Sequence, residues 1–411
     1  MGAGAGQAAT LVANVLVANA LGTKLFGAYA FLQTSQNAFA LVAQLSMGLA
    51  AARYLPMWRT GQPDRAGQFL GFGTAFCLVL GLATGAGFSL FAIIFDLDLG
   101  MSSAETVRVV LITGVCVPVL AMTLFQNGVL MGFESFRVFA LVSGVAALSA
   151  VVLPALGARV HAVEGAILGL AAVALIRAVA GRYAIAKAAA AQGIRPRFSR
   201  SREMLHPIFD FALPGSLTVV AATVAQWSVG ALILHQSGSM QFSLYAVTFS
   251  IRQLVLFIPV QLASVSLSLM SRRMSKGADS DHSAIFGASL LVTLITAGAI
   301  ALVVGLAAET VLSVFGADFT AATTLLRIML ASAFLEAAAT SIYQILPARG
   351  LMWKSLKWVG LPRDLSLLLV ASIAVPKWGI YGGAAALLLC QIVAIAGIWL
   401  AVRGKPASIV S

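Results

Sequence analysis

The sequence is short of charge. Of 411 residues, 10% are Asp, Glu, Lys or Arg, and only 14 are acidic. Soluble domains carry about 25% charged residues, so a water-soluble globular chain is excluded. Histidine is scarce: His161, His206, His235 and His282 lie at the ends of apolar runs, without metal-ligand spacing. The three cysteines, Cys77, Cys116 and Cys390, all fall inside apolar runs. They form no zinc spacing or disulfide framework and are expected as small packing residues. There is no Walker A loop and no His-Glu-x-x-His helix. Neither metal nor cofactor is therefore expected, nor ATP hydrolysis within this chain. The driving force would be an ion gradient, the membrane potential or the substrate gradient itself. The first apolar run lacks a basic leader and a small-residue cleavage site, so it is expected to remain as a helix.

What is present is apolar length. Hydrophobic residues make up 60% of the chain, and mean hydropathy is +0.97. Runs long enough to cross a bilayer, about 20 residues each, follow one another almost throughout. The uninterrupted stretch "FLGFGTAFCLVLGLATGAGFSLFAIIF" excludes a transmembrane β-barrel, whose strands alternate over about ten residues. The fold class is an all-α polytopic membrane protein with about twelve spans. They lie near 3–21, 26–52, 69–95, 109–132, 138–157, 163–186, 208–235, 242–270, 284–307, 321–346, 355–375 and 379–402.

The net charge of +12 is distributed as a topology signal. Eighteen of the 26 Lys and Arg fall on the side of the even-numbered connections and the C-terminus, and four on the other side (Lys24, Arg108, Arg159 and Lys377). The positive-inside rule then makes both termini cytoplasmic, with no nucleic-acid partner needed to explain the charge. No connection on the acidic side exceeds about a dozen residues, so an extracytoplasmic catalytic domain is not expected and the chain is not read as an enzyme.

The polar stretch "AQGIRPRFSRSREMLHP" divides the chain. Residues 1–193 are expected as one six-helix bundle, 194–207 as a basic cytoplasmic linker, and 208–411 as a second bundle. The halves resemble each other at an offset of about 217 residues. "FGAYAFLQTSQNAF" matches "FSLYAVTFSIRQLV", with Tyr29 opposite Tyr245, and "HAVEGAILGLAA" matches "WGIYGGAAALLL", with Gly165 opposite Gly382. Parallel repeats of this kind place substrate sites between the halves near the midplane. Gly81/Gly85 and Gly165/Gly169 are small-residue spacings that favour close helix packing. Pro118, Pro154, Pro214, Pro259 and Pro376 predict kinks.

Four arginines lie within spans: Arg177, Arg252, Arg327 and Arg363. Arg252 sits about ten residues into its span, about 15 Å deep, and Arg177 is similarly placed. Facing lipid, each would cost about 2.5–3.5 kcal/mol on insertion scales, so each is expected to face a cavity or a partner. One reading pairs Arg252 with Glu336, the deepest carboxylate; Glu336 and Arg327 are the candidate ion-coupling or charge partners. The favoured reading is a water-filled cavity that receives an anion, lined by Arg252, Arg177 and Gln253. Gln36 and Asn37 fall opposite Arg252 and Gln253 in the repeat. Gln33, Asn37 and Gln44 form a polar stripe on one helix face. A guanidinium fork suits phosphate oxygens better than a lysine does.

These features resemble the oligosaccharide-lipid flippases, the O-antigen and polysaccharide branch of the multidrug/oligosaccharidyl-lipid/polysaccharide (MOP) exporter superfamily. The resemblance rests on Leu21-Gly22 followed by Phe26-Gly27-Ala28-Tyr29, on the Pro-centred seventh span "FDFALPGSLTVVAATVAQWSVGALIL", and on the twelfth-span "PKWGIYGGAAALLLCQ". Many relatives carry an acid halfway along the seventh helix, where this chain has Gln226-Trp227-Ser228. The resemblance implies two pseudo-symmetric six-helix bundles alternating between inward- and outward-facing states in a bacterial inner membrane. It also implies a polyprenyl-diphosphate-linked oligosaccharide as substrate, for cell-surface or exopolysaccharide assembly. Implied partners are membrane lipids, a polysaccharide polymerase and glycosyltransferases. The alternative is a cation-coupled multidrug exporter of the same superfamily, whose cavity acids should dominate. A membrane enzyme acting on lipid-linked glycan lacks a catalytic motif.

Overall fold

The computed structural model describes residues 2–197, 213–274, 282–344, 346 and 352–403. Among them every regular element is helical. In order they are α1 (Gly2–Gln44), α2 (Met47–Gly61), α3 (Pro63–Ile94), α4 (Ser103–Gly132), α5 (Phe136–Ala191), α6 (Leu213–Met274), α7 (His282–Leu306), α8 (Ala308–Ser313), α9 (Thr323–Tyr343), α10 (Leu361–Trp378) and α11 (Ile380–Arg403). A 3₁₀ turn, Ala317–Ala322, leads into α9, and a short helical turn, Met352–Ser355, with a π-helical turn, Leu356–Gly360, leads into α10. Helices are what an apolar solvent demands, because each closes its own backbone hydrogen bonds.

Eight helices among the described residues are long and apolar enough to cross a membrane. Three of them are double. α1 breaks at Gly22, α5 at His161–Ala162 and α6 at Gly238, where the backbone leaves helical dihedrals without an intervening loop. Counting both parts of each, and adding the shorter apolar helix within α7, yields the twelve expected segments. The chain is thus a multi-pass membrane protein. The dihedral breaks do not coincide with prolines: Pro118, Pro154, Pro259 and Pro376 each lie inside a helix.

The second expected span is interrupted. Leu45 and Ser46 adopt positive φ (40° and 54°), ending α1 and starting α2. Gln44 Oε1 accepts the Gly48 N–H at 3.2 Å and satisfies a donor freed by the break.

The chain divides by contact into two compact units, Met1–Trp227 with Gly238–Ser243, and Ser228–Ser237 with Leu244–Ser411. In the first, α1 packs on α3, α4 and α5, and α2 lies along α4. Its core gathers Met47, Leu55, Trp58, Phe69, Phe125 and Val129. Gly128 faces the Gly48 backbone, and Gly85 faces the Gly114 carbonyl, so these helices meet backbone to backbone. In the second unit α9 packs on α7 and α11, and α10 on α11. Of the expected linker 194–207, residues 198–207 lie outside the described residues. The described start is docked on α3, with Ile194 buried and Arg197 N–H donating to Gly67 O at 3.0 Å. Cys77, Cys116 and Cys390 are buried and free.

Candidate functional site, a buried arginine-carboxylate network

The second unit gathers charge within its apolar helices. The part of α6 after Gly238 carries Tyr245, Phe249 and Arg252 at helical spacing. Tyr245 stacks on Phe249, ring centroids 6.0 Å apart, and the Arg252 guanidinium lies 5.6 Å from the Phe249 ring. The Arg252 side chain is only 2% exposed. Its Nε donates to Ser332 Oγ at 2.9 Å, and its Nη2 forms an ion pair with Glu336 Oε2. Ser332 and Glu336 are four residues apart on α9 and so share a face. Gln391 of α11 donates Nε2 to the same Glu336 oxygen at 3.2 Å. Three helices thus converge on one carboxylate.

A second pair lies in electrostatic reach. Arg363 donates from Nε to Asp364 Oδ1 at 2.7 Å, and its Nη2 reaches the same oxygen at 2.7 Å. Asp364 Oδ2 is buried without a hydrogen-bond partner. The Cys390 thiol sits among Arg252, Glu336, Arg363 and Asp364. Two arginines therefore balance two carboxylates, which a low-dielectric interior requires of buried charge. Glu336 keeps 28% of its side chain exposed, so the network is closed at Arg252 and open at Glu336.

The other expected site residues are spread over both units. In the first, Gln36 occupies the repeat position of Arg252. It is 3% exposed, lies against Cys116, and its Nε2 has no hydrogen-bond partner. At the 216-residue offset that relates Gln36 to Arg252, Cys116 falls opposite Ser332. Gln33 donates to Tyr29 Oη at 3.1 Å, Gln44 caps the start of α2, and Asn37 is exposed. The stripe is therefore partly spent on local bonds. Arg177 is half-buried, with its Nε buried and unpartnered. Gln253 is half-buried beside Arg252. Arg327 is exposed, and nine residues before Glu336 it stands about 13 Å away along α9, outside the network.

Two contributors escaped the reading of the sequence. Ser332 carries no pattern of its own. Gln391 ends the twelfth-span motif, and as a lone amide in a 24-residue apolar helix it was the available signal. Where relatives were expected to carry an acid, Trp227 donates Nε1 to Ser35 Oγ at 2.8 Å and sits among Phe31, Phe39 and Phe91, with ring centroids 5.1–6.2 Å away.

The helical arrangement matches solved transporters. An inward-facing conformation of a multidrug resistance MATE family transporter of the MOP superfamily aligns with TM-score 0.77 and 16% identity, covering 97% of this chain and 96% of that one. An outward-facing conformation of such a transporter aligns with TM-score 0.63 and 17% identity, over 97% and 92%. A MOP superfamily transporter from Pyrococcus furiosus, described by a binding pocket of reversed polarity that suggests a different function, aligns with TM-score 0.63 and 16% identity, over 96% and 93%. No family profile and no curated protein matches the sequence. The fold is that of the MOP superfamily transporters.

Proposed function

We propose that the chain is an exporter that moves a polyprenyl-diphosphate-linked oligosaccharide across a bacterial inner membrane by alternating access, with both termini cytoplasmic. The observation that carries this reading is the balance of charge in the described spans. Glu336 and Asp364 are each neutralised by an arginine, while the Arg177 guanidinium keeps a buried, unpartnered N–H. The charge left over is positive, which suits a diphosphate and opposes a cationic drug. The substrate would be supplied by glycosyltransferases and passed to a polysaccharide polymerase.

A multidrug exporter is the second reading, favoured by the partly exposed Glu336, which could serve an exchanged cation. Proteoliposomes containing the full chain separate the two. A polyprenyl-diphosphate oligosaccharide should become accessible to a lectin on the opposite leaflet, and ethidium should not be expelled under an imposed proton or sodium gradient. Gradient-driven ethidium efflux without glycan translocation would replace the flippase by the drug exporter.

A further inference from the structure

A groove of about 560 Å³ runs between α7 and α9, in the second unit and apart from the Arg252–Glu336 network. Its floor exists because the facing residues are small: Gly298, Ala301 and Gly305 on α7, Ala331 on α9. Its walls are apolar and open, with Leu302 63% and Leu306 77% exposed. At one end stands Arg327, four residues inside the start of α9, about 6 Å from it. Among the described residues its guanidinium makes one long hydrogen bond, Nε to Gly305 O at 3.4 Å. From Gly305 to Gly298 the groove extends about 10 Å along the helix, most of the way through one leaflet of a hydrocarbon core about 30 Å thick.

The geometry points to a binding site for an anionic phospholipid of the surrounding membrane, its phosphate on Arg327 and one acyl chain in the groove. A bare arginine above an apolar trough complements a lipid that is negative at one end and aliphatic below. A zwitterionic lipid fills the trough equally well but cancels the charge. A basic residue near an anionic lipid surface is worth about 1 kcal/mol, which is about fivefold in affinity. Simple snorkelling of Arg327 to the interface accounts for its height but not for the trough beneath it. The site goes beyond the proposed export activity and stands whatever the chain transports, so a failed export assay leaves it intact.

Native mass spectrometry of the full chain, released from micelles doped with phosphatidylglycerol or phosphatidylcholine, tests it. Phosphatidylglycerol should be retained about fivefold better. Arg327→Gln should reduce it to the phosphatidylcholine level while leaving phosphatidylcholine retention unchanged, which also reports that the variant is folded. Arg327→Lys should keep part of the preference, and Ala331→Phe should weaken both lipids by filling the trough. Unchanged phosphatidylglycerol retention in Arg327→Gln or in Ala331→Phe would overturn the site. Displacement of phosphatidylglycerol by equimolar polyprenyl phosphate would overturn the phospholipid assignment in favour of a carrier tail.

Discussion

Gly22 and Gly238 hold the same backbone conformation, φ 71° and ψ 173° in one, φ 79° and ψ 172° in the other. They break α1 and α6 at matching points of the two halves. A second pair does the same: Ala162 has φ 46° and ψ −130°, and Gly379 has φ 54° and ψ −130°. The packing repeats as well. A Cβ added to Gly165 would strike the Gly157 carbonyl, and one added to Gly382 would strike the Ala374 carbonyl. The correspondences lie 216 or 217 residues apart, as the sequence repeat does, so the backbone breaks recur with the repeat.

The first prediction follows from that symmetry. Ala162 holds a conformation its counterpart reserves for glycine, at a cost of about 1–3 kcal/mol. Ala162→Gly should raise the thermal midpoint in detergent. Gly238→Ala should lower it by a comparable amount from backbone strain alone, since open space surrounds that Cβ. A neutral result for both would show that the breaks are unstrained.

Backbone contact predicts a steeper loss. Gly128→Ala places a methyl against the Gly48 backbone, where no side chain can yield, and should cost about 3 kcal/mol or more. Gly144→Ala, in open space on α5, should be neutral or stabilise by about 0.5–1 kcal/mol. Thermal unfolding of the two variants side by side checks the contrast.

The Arg252–Glu336 pair should show a coupling energy. Arg252→Ala leaves Glu336 without its ion partner and should cost about 3–5 kcal/mol of stability, as should Glu336→Ala. Replacing both, Arg252→Met with Glu336→Leu, should restore most of the stability. Export should not return with it if, as the sequence leads one to expect, the Arg252 guanidinium also lines the anion cavity. Recovery of glycan export in the double variant, at matched protein levels, would reduce Arg252 to a structural partner.

Topology is open to direct measurement. Reporters fused after Arg200 and Met274 should read cytoplasmic, and those after Gly238 and Asp318 extracytoplasmic, as the eighteen-to-four asymmetry of basic residues requires. An inverted pattern at two sites would reject the assigned orientation.

The apolar runs alone determined that this chain crosses a membrane as helices, about twelve times, in two related halves. Those properties are local: run length against bilayer thickness, and residue identity at a fixed offset. Tertiary structure decided where runs end without loops. Leu45–Ser46 and His161–Ala162 carry no glycine or proline, so no local signal marks either break. It also decided which charges meet. Arg252 lies 80 residues before Ser332 and 84 before Glu336, and Gln391 is 55 residues beyond Glu336. The sequence could show that a buried arginine needs a partner, because desolvation is a property of the residue. Only the packing of α6, α9 and α11 could choose that partner, because ion pairing falls off over a few ångströms and sequence distance carries no such scale.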